Sequence, residues 1–181
     1  MTESLERLKT FIKLIPDFPK PGILYRDLSP IYAEPSELTH AVTLMRERIR
    51  EFRKAHHGEN FVIVAPESRG FILGSIIAHL ENLPLVLARK FGKTPGKPLQ
   101  HKYQTEYSVD MIEMGRDLLV EGQKIIIIDD VLASGGTMRA IDYLTESTGA
   151  EVIYGIALIG IKEFEHDWKQ LPFKTESILI A

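Results

Sequence analysis

Apolar residues along the chain fall into two alternating rhythms. Leu5, Leu8, Ile12 and Ile15 recur at helical spacing, which predicts a short amphipathic helix over residues 4–15, ended by Pro16. Residues 16–22 carry three prolines and a glycine and predict a fixed connection, with a short extended piece at 23–30. A longer helix is expected from Pro35, with Ser36 as N-cap and Leu38, Val42, Met45, Ile49 and Phe52 as its buried stripe; Arg46, Arg48, Arg50 and Glu51 fall on the solvated face, and His56, His57 and Gly58 close it. Continuous apolar runs then predict strands at 61–65, 85–88, from Lys124 to the acidic pair, and at 152–161, with helices at 71–80 and 138–147 between them. Residues 101–107 and 109–114 alternate polar and apolar positions, as two strands of a flap would. The end, 168–181, predicts a short turn and an edge strand at 178–180. Strands alternating with helices imply an α/β fold: a central, mostly parallel sheet flanked by helices on both faces, with right-handed crossovers.

The stretch at 124–137 carries the most chemistry. Four consecutive isoleucines, 125–128, suit a strand buried on both faces, and the strand is expected to stop at Asp129 and Asp130. Carboxylates are costly inside a core, so the pair should emerge at the strand's carboxyl end, where open α/β sheets bind ligands. Ser134, Gly135, Gly136 and Thr137 then lead into a helix whose unpartnered N–H groups and positive dipole end attract anions. The glycines alone fit an ordinary turn equally well. Next to the acid pair they fit one ligand carrying both a phosphate and ribose hydroxyls or a bound Mg²⁺, namely a sugar phosphate. No lysine follows the glycines as a P-loop needs, and the spacing differs from a dinucleotide fingerprint. Residues 66–70 repeat the theme of strand, acid, small polar residue and glycine, now with Arg69, a side chain suited to oxygen clusters.

Composition narrows the class. The 181 residues, 44% hydrophobic, suit one domain with a substantial core. A net charge of −3 and a pI near 6.1 argue against nucleic acid as partner. There is no cysteine, which excludes disulfides, thiol catalysis and Cys-based zinc. The acidic start and the absence of a long apolar run lead us to expect a cytoplasmic protein without membrane attachment. Against that acidic background, Arg89, Lys90, Lys93, Lys97 and Lys102 occur with no acid among them, punctuated by glycine and proline. Such a run is either a solvated loop or an arm that brings cations to a polyphosphate.

Ile128 to Thr137, Ile-Asp-Asp-Val-Leu-Ala-Ser-Gly-Gly-Thr, resembles the phosphoribosyl pyrophosphate (PRPP) motif of type I phosphoribosyltransferases. Further stretches, in the family's order from about residue 18 to 161, are similar to its adenine-specific branch: Phe-Pro-Lys-Pro-Gly-Ile-Leu-Tyr-Arg-Asp at 18–27, Ser-Arg-Gly-Phe at 68–71, Arg-Lys-Phe-Gly-Lys at 89–93 and Tyr-Gln-Thr-Glu-Tyr at 103–107. Two departures are Ser134, where threonine is usual, and Ser108, where glycine often follows the lid tyrosine.

The resemblance implies Mg²⁺-dependent transfer of 5-phosphoribose from PRPP to adenine, giving AMP and pyrophosphate, by one domain over 1–181 that acts as a homodimer. It implies an N-terminal base-binding hood at 1–34, with Leu24, Tyr25 and Arg26 around the adenine, and a basic loop with a flexible two-stranded lid at 89–117. Asp129, Asp130, Ala133, Ser134, Gly135, Gly136 and Thr137 would hold ribose and 5-phosphate; Ser68, Arg69, Arg89, Lys90 and Lys93 would hold pyrophosphate, with Arg89 able to reach the neighbouring subunit. Tyr103, Glu106 and Tyr107 belong to the lid, Glu106 being the candidate for proton transfer at the purine; with Asp129, Asp130 and Arg69 it makes up the expected catalytic set. Mg²⁺ would be held mainly by PRPP and water, without a direct protein ligand. Two alternatives stay open: an oxopurine (hypoxanthine, guanine or xanthine) phosphoribosyltransferase, and a non-catalytic PRPP-sensing regulator.

Overall fold

A computed structural model describes residues 2–104 and 109–181. Its centre is a seven-stranded sheet ordered β5-β6-β4-β3-β7-β8-β9. The strands are β3 (Phe61–Pro66), β4 (Leu85–Lys90), β5 (Leu99–Gln104), β6 (Val109–Met114), β7 (Lys124–Leu132), β8 (Glu151–Gly160) and β9 (Lys174–Ile180). From β4 to β9 neighbours run parallel, while β6 joins β4 and β5 antiparallel. This is the expected α/β architecture.

The isoleucine run explains why β7 is central. Ile126 and Ile128 pack into one core with Met45, Ile49, Leu73 and Ile77, and Ile125 and Ile127 into a second with Met138, Ile141 and Leu144. Period-two alternation thus feeds two helical layers from one strand. The first layer holds α3 (Pro35–Ala55) and α4 (Gly70–Glu81), the second α5 (Gly136–Glu146). Arg46 and Arg50, expected on the solvated face of α3, and Arg53, which had no expected place, converge on Glu81 of α4 at 2.9, 2.9 and 3.3 Å.

Several boundaries differ from expectation. The first helix, α1 (Thr2–Thr10), ends early, and β1 (Lys13–Pro16) pairs antiparallel with β2 (Leu24–Asp27) in a separate two-stranded sheet. The residue before a proline is driven to extended backbone, so Ile15 cannot close the helix and instead faces Tyr25 across the hairpin. Only 24–27 of the expected extended piece is strand; Pro30 sits in the first turn of the short helix α2 (Ser29–Ala33). Glu34, rather than Ser36, caps α3: Pro35 already occupies the first helical position, and the Glu34 carboxylate accepts the Ser36 N–H at 3.4 Å. β7 does not stop at the acid pair but continues to Leu132, because β8 offers partners as far as Gly160. A short helix, α6 (Glu165–Trp168), precedes β9, and β9 is longer than 178–180 because Tyr154 to Gly160 of β8 pairs along it.

Candidate active site

The carboxyl ends of β3, β4 and β7 open into a cavity of about 420 Å³. Leu24, Tyr25 and Arg26 from the hairpin, Ser68 and Arg69 after β3, Lys90 ending β4, Tyr103 of β5, and Asp129, Asp130, Ala133, Gly135, Gly136 and Thr137 from β7 to α5 all line it. Three expected residues do not. Ser134 turns its hydroxyl toward the Gly136 N–H at 3.4 Å, while Arg89 and Lys93 stand behind Glu67. Glu106 and Tyr107 of the expected lid lie outside the described residues; β5 and β6, on either side of them in sequence, pair from Leu99 opposite Met114 to Gln104 opposite Val109.

Two carboxylates meet at the floor. Asp130 is 2% exposed and accepts from Arg69 Nε at 2.9 Å and from the Tyr32 hydroxyl at 3.3 Å. Asp129 Oδ1 accepts the Asp130 backbone N–H at 2.8 Å. Burial, and then the neighbouring Asp130 charge, push the Asp129 carboxyl well above its ordinary pKa; burial also raises Asp130, against the pull of Arg69. The pair is therefore short of positive charge and suited to a ligand bringing hydroxyl donors or a cation. Close approach is built in on one side: a Cβ on Gly70 would lie 2.9 Å from Asp129 Oδ1 and 2.8 Å from Pro66.

The phosphate-like end is formed by α5. Gly135, its N-cap, has φ 82°, a left-handed conformation open to glycine without penalty, and it joins β7 to the helix start, whose Gly136 and Thr137 line the cavity with it. Thr137 Oγ1 lies 3.4 Å from the Tyr103 hydroxyl.

At the hairpin end, Arg69 Nη1 donates to the Tyr25 hydroxyl at 2.6 Å, and its guanidinium lies 5.2 Å from the Tyr25 ring centre, tying the hairpin to the acid pair. Pro16, opposite Leu24, has no N–H, so that pair is of the non-hydrogen-bonded kind, and alternation makes Leu14 with Arg26 the same kind. The Arg26 backbone N–H and C=O therefore point to the unpaired edge of the hairpin. Its side chain turns away to the Leu24 carbonyl at 2.7 Å and to Glu163 at 3.4 Å.

Sequence reasoning gave no role to three side chains that the fold brings here. Glu67 lines the cavity, accepts the Lys90 N–H at 2.9 Å and binds the Lys93 amine; that amine first of all, with the Lys90 N–H, holds its pKa below the usual carboxylate value against the opposing cost of burial. The acid after β3 was visible in the sequence, but its pairing with residues more than twenty positions away was not. Tyr32 has no sequence signal at all. Trp168, in a segment left without function, packs with Leu171 directly against Gly135.

Comparison with known proteins agrees with this geometry. The family model described as phosphoribosyl transferase domain matches residues 28–178. An adenine phosphoribosyltransferase of Pseudomonas putida (strain GB-1) is 41% identical over 158 residues, covering 87% of this chain and 84% of that protein. The crystal structure of adenine phosphoribosyltransferase from Rhodothermus marinus superimposes with a TM-score of 0.88 at 37% identity, covering 100% of both chains. That from Saccharomyces cerevisiae, complexed with an imino-altritol bisphosphate and adenine, gives a TM-score of 0.88 at 26% identity, covering 98% of this chain and 99% of that one.

Proposed function

The chain belongs to the phosphoribosyltransferase family, among the adenine phosphoribosyltransferases, and from that premise we propose that it transfers 5-phosphoribose from PRPP to N9 of adenine, releasing pyrophosphate and forming AMP. The observation that carries this reading is the convergence on one cavity of an anion-binding helix start, a buried acid pair, a cationic rim and a hairpin edge with free backbone groups.

Each part has a task. The N–H groups and hydroxyls of residues 133–137 hold the 5-phosphate. Asp129 and Asp130 accept the ribose hydroxyls, and their charge favours the cationic character that develops at C1. Ser68, Arg69, Lys90 and, from behind Glu67, Arg89 and Lys93 receive the pyrophosphate as it leaves with the C–O electron pair. Displacement by N9 from the opposite side inverts C1, and the N9 proton is lost as the bond forms; Glu106 is our candidate acceptor, with Tyr107 and Tyr103 closing the lid against water. Leu24 and Tyr25 cover the ring. The Arg26 N–H meets the acceptor N1 and its C=O the exocyclic amine, a pattern that hypoxanthine and guanine reverse and that can discriminate by about 10⁴-fold.

Mg²⁺ fits the donor set as a guest of the substrate. Among the described residues no group of three or more metal-binding side chains exists, but two adjacent carboxylates beside a polyphosphate suit an ion that keeps water and phosphate ligands. When bound it would neutralise the pyrophosphate oxygens, with Asp129 and Asp130 holding it through water. We read residues 1–34 as the hood and 89–117 as basic loop and lid of a single domain. A homodimer is supported by the exposed apolar side chains Ile72 and Leu80 on α4 and Phe91 after β4. Among the described residues no helix is long and apolar enough to cross a membrane. PRPP is too charged to cross a bilayer, so we place the reaction in the cytoplasm.

An initial-rate assay with PRPP, Mg²⁺ and adenine tests the proposal. AMP and pyrophosphate should appear in equal amounts; a folded protein that forms neither overturns it.

A further inference from the structure

The cations of residues 89–102 have no acid within their own run, and the structure supplies their counter-charges from elsewhere. Glu67, in the cavity wall, binds the Lys93 amine and the Lys90 N–H. The second acid is Glu113, near the end of β6, where it lies opposite Arg89 of β4 on one side and Gln100 of β5 on the other. It is 1% exposed. Its Oε1 accepts the backbone N–H groups of Lys93 at 2.7 Å and Thr94 at 2.5 Å, Gly92 contributes its own, and Oε2 accepts Gln100 Nε2 at 3.2 Å.

The two carboxylates do different work. Glu67 contacts a lysine amine, a group that an incoming polyanion would also attract. Among the described residues the hydrogen-bond partners of Glu113 are backbone N–H groups and a neutral amide, and Glu113 is buried and does not line the cavity, so a ligand there does not displace it and it holds the turn in both the free and the liganded protein. Burial alone would push its carboxyl up, yet the four donors outweigh it and hold it below its ordinary value. A carboxylate is the one side chain that presents acceptors only and can take all four N–H groups; glutamine in its place turns an NH₂ toward donors.

We propose that Glu113 is a positioning residue for the pyrophosphate half of the substrate: by clamping the backbone of residues 92–94 from beneath, it fixes the turn that presents Lys93 and continues the strand end bearing Lys90. This rests on the phosphoribosyl-transfer reading above. It assigns to a buried β-strand acid, remote from the cavity lining, the job of keeping the cationic rim preorganised. Its signature is selectivity: losing the clamp weakens ligands that contain pyrophosphate and spares AMP, which occupies the hairpin, the acid pair and the α5 end but not the cationic rim.

The test compares wild type, Glu113→Gln and Glu113→Ala by equilibrium titration with PRPP, pyrophosphate and AMP, each with Mg²⁺ present, alongside thermal melts. The expected result is PRPP and pyrophosphate affinities lowered about 10-fold in Glu113→Gln and up to about 100-fold in Glu113→Ala, with AMP affinity within about twofold of wild type. If Glu113→Ala does not fold, the near-isosteric Glu113→Gln decides alone. Wild-type affinity for all three ligands in Glu113→Gln, or equal loss for AMP and PRPP, overturns the inference. A wild-type protein that binds AMP and PRPP with an unselective variant sinks this inference only; a wild-type protein that binds neither sinks the transferase reading and this inference with it.

Discussion

Gly135→Ala puts the architecture of the phosphate loop to a quantitative test. Gly135 holds φ 82° as N-cap of α5, and a Cβ there would stand 3.1 Å from Leu171 Cδ1, 3.2 Å from Trp168 Cβ and 3.4 Å from Trp168 Cα. The left-handed backbone costs an L-residue about 1–2 kcal/mol. Contacts this tight against backbone-anchored atoms force a shift of a few tenths of an ångström, adding about 1–2 kcal/mol of overpacking. The loss is then about 2–4 kcal/mol, and with an unfolding entropy of about 2.1 cal/mol/K per residue over 181 residues it lowers Tm by about 5–10 °C. Relief of the clash moves the loop away from Trp168 and turns the N–H groups of Gly136 and Thr137 off the phosphate, so AMP and PRPP should both bind about tenfold or more weakly, while pyrophosphate alone is unaffected. Melting curves and titrations with the three ligands supply the readout. A variant with unchanged Tm and unchanged AMP affinity refutes both the strain and the bracing by Trp168.

Three further substitutions probe the floor and the loop. Asp129→Asn removes a carboxyl whose pKa is raised by burial and by Asp130. Such a group favours the fold only while protonated, fully below the ordinary carboxyl pKa and less as pH climbs through the raised value, so the variant should gain about 1–2 kcal/mol near neutrality and nothing at acid pH, while losing PRPP affinity; melts as a function of pH that show no neutral-pH gain contradict this. Asp130→Asn, which keeps the shape but leaves Arg69 without its anion, should lower kcat about 10²-fold in a protein that still melts cooperatively, and wild-type kinetics would remove Asp130 from the ribose site. Thr137→Ala should weaken PRPP and AMP about 10-fold through one lost hydrogen bond to a charged oxygen and leave adenine binding alone; equal losses for adenine contradict the phosphate assignment.

Local rules read the sheet well and its long-range partners poorly. Four isoleucines sufficed to mark the central strand, because burial on both faces leaves no other composition open to it, and the acid pair with its glycine loop carried the site. Apolar spacing over 4–15 overextends the helix because it cannot say that Ile15 pairs with Tyr25 in a hairpin. Side-chain type favours Ser36 as N-cap, but Pro35 fixes the helix start one residue earlier. Glu113 reads as an ordinary polar position of an alternating strand, yet it is buried and takes its partners from residues 93–94 and Gln100. Trp168 and Glu67 likewise acquire meaning from contacts with residues 135 and 93 that no window along the chain contains.

The most direct test of the central claim is a competition: adenine and hypoxanthine at equal concentration, with PRPP and Mg²⁺, in one vessel, the nucleotide products separated and counted. A hairpin edge that offers N–H and C=O at Arg26 predicts AMP with hypoxanthine left untouched. Comparable amounts of AMP and IMP would contradict the reading of the base, and PRPP bound without either product would contradict the transferase.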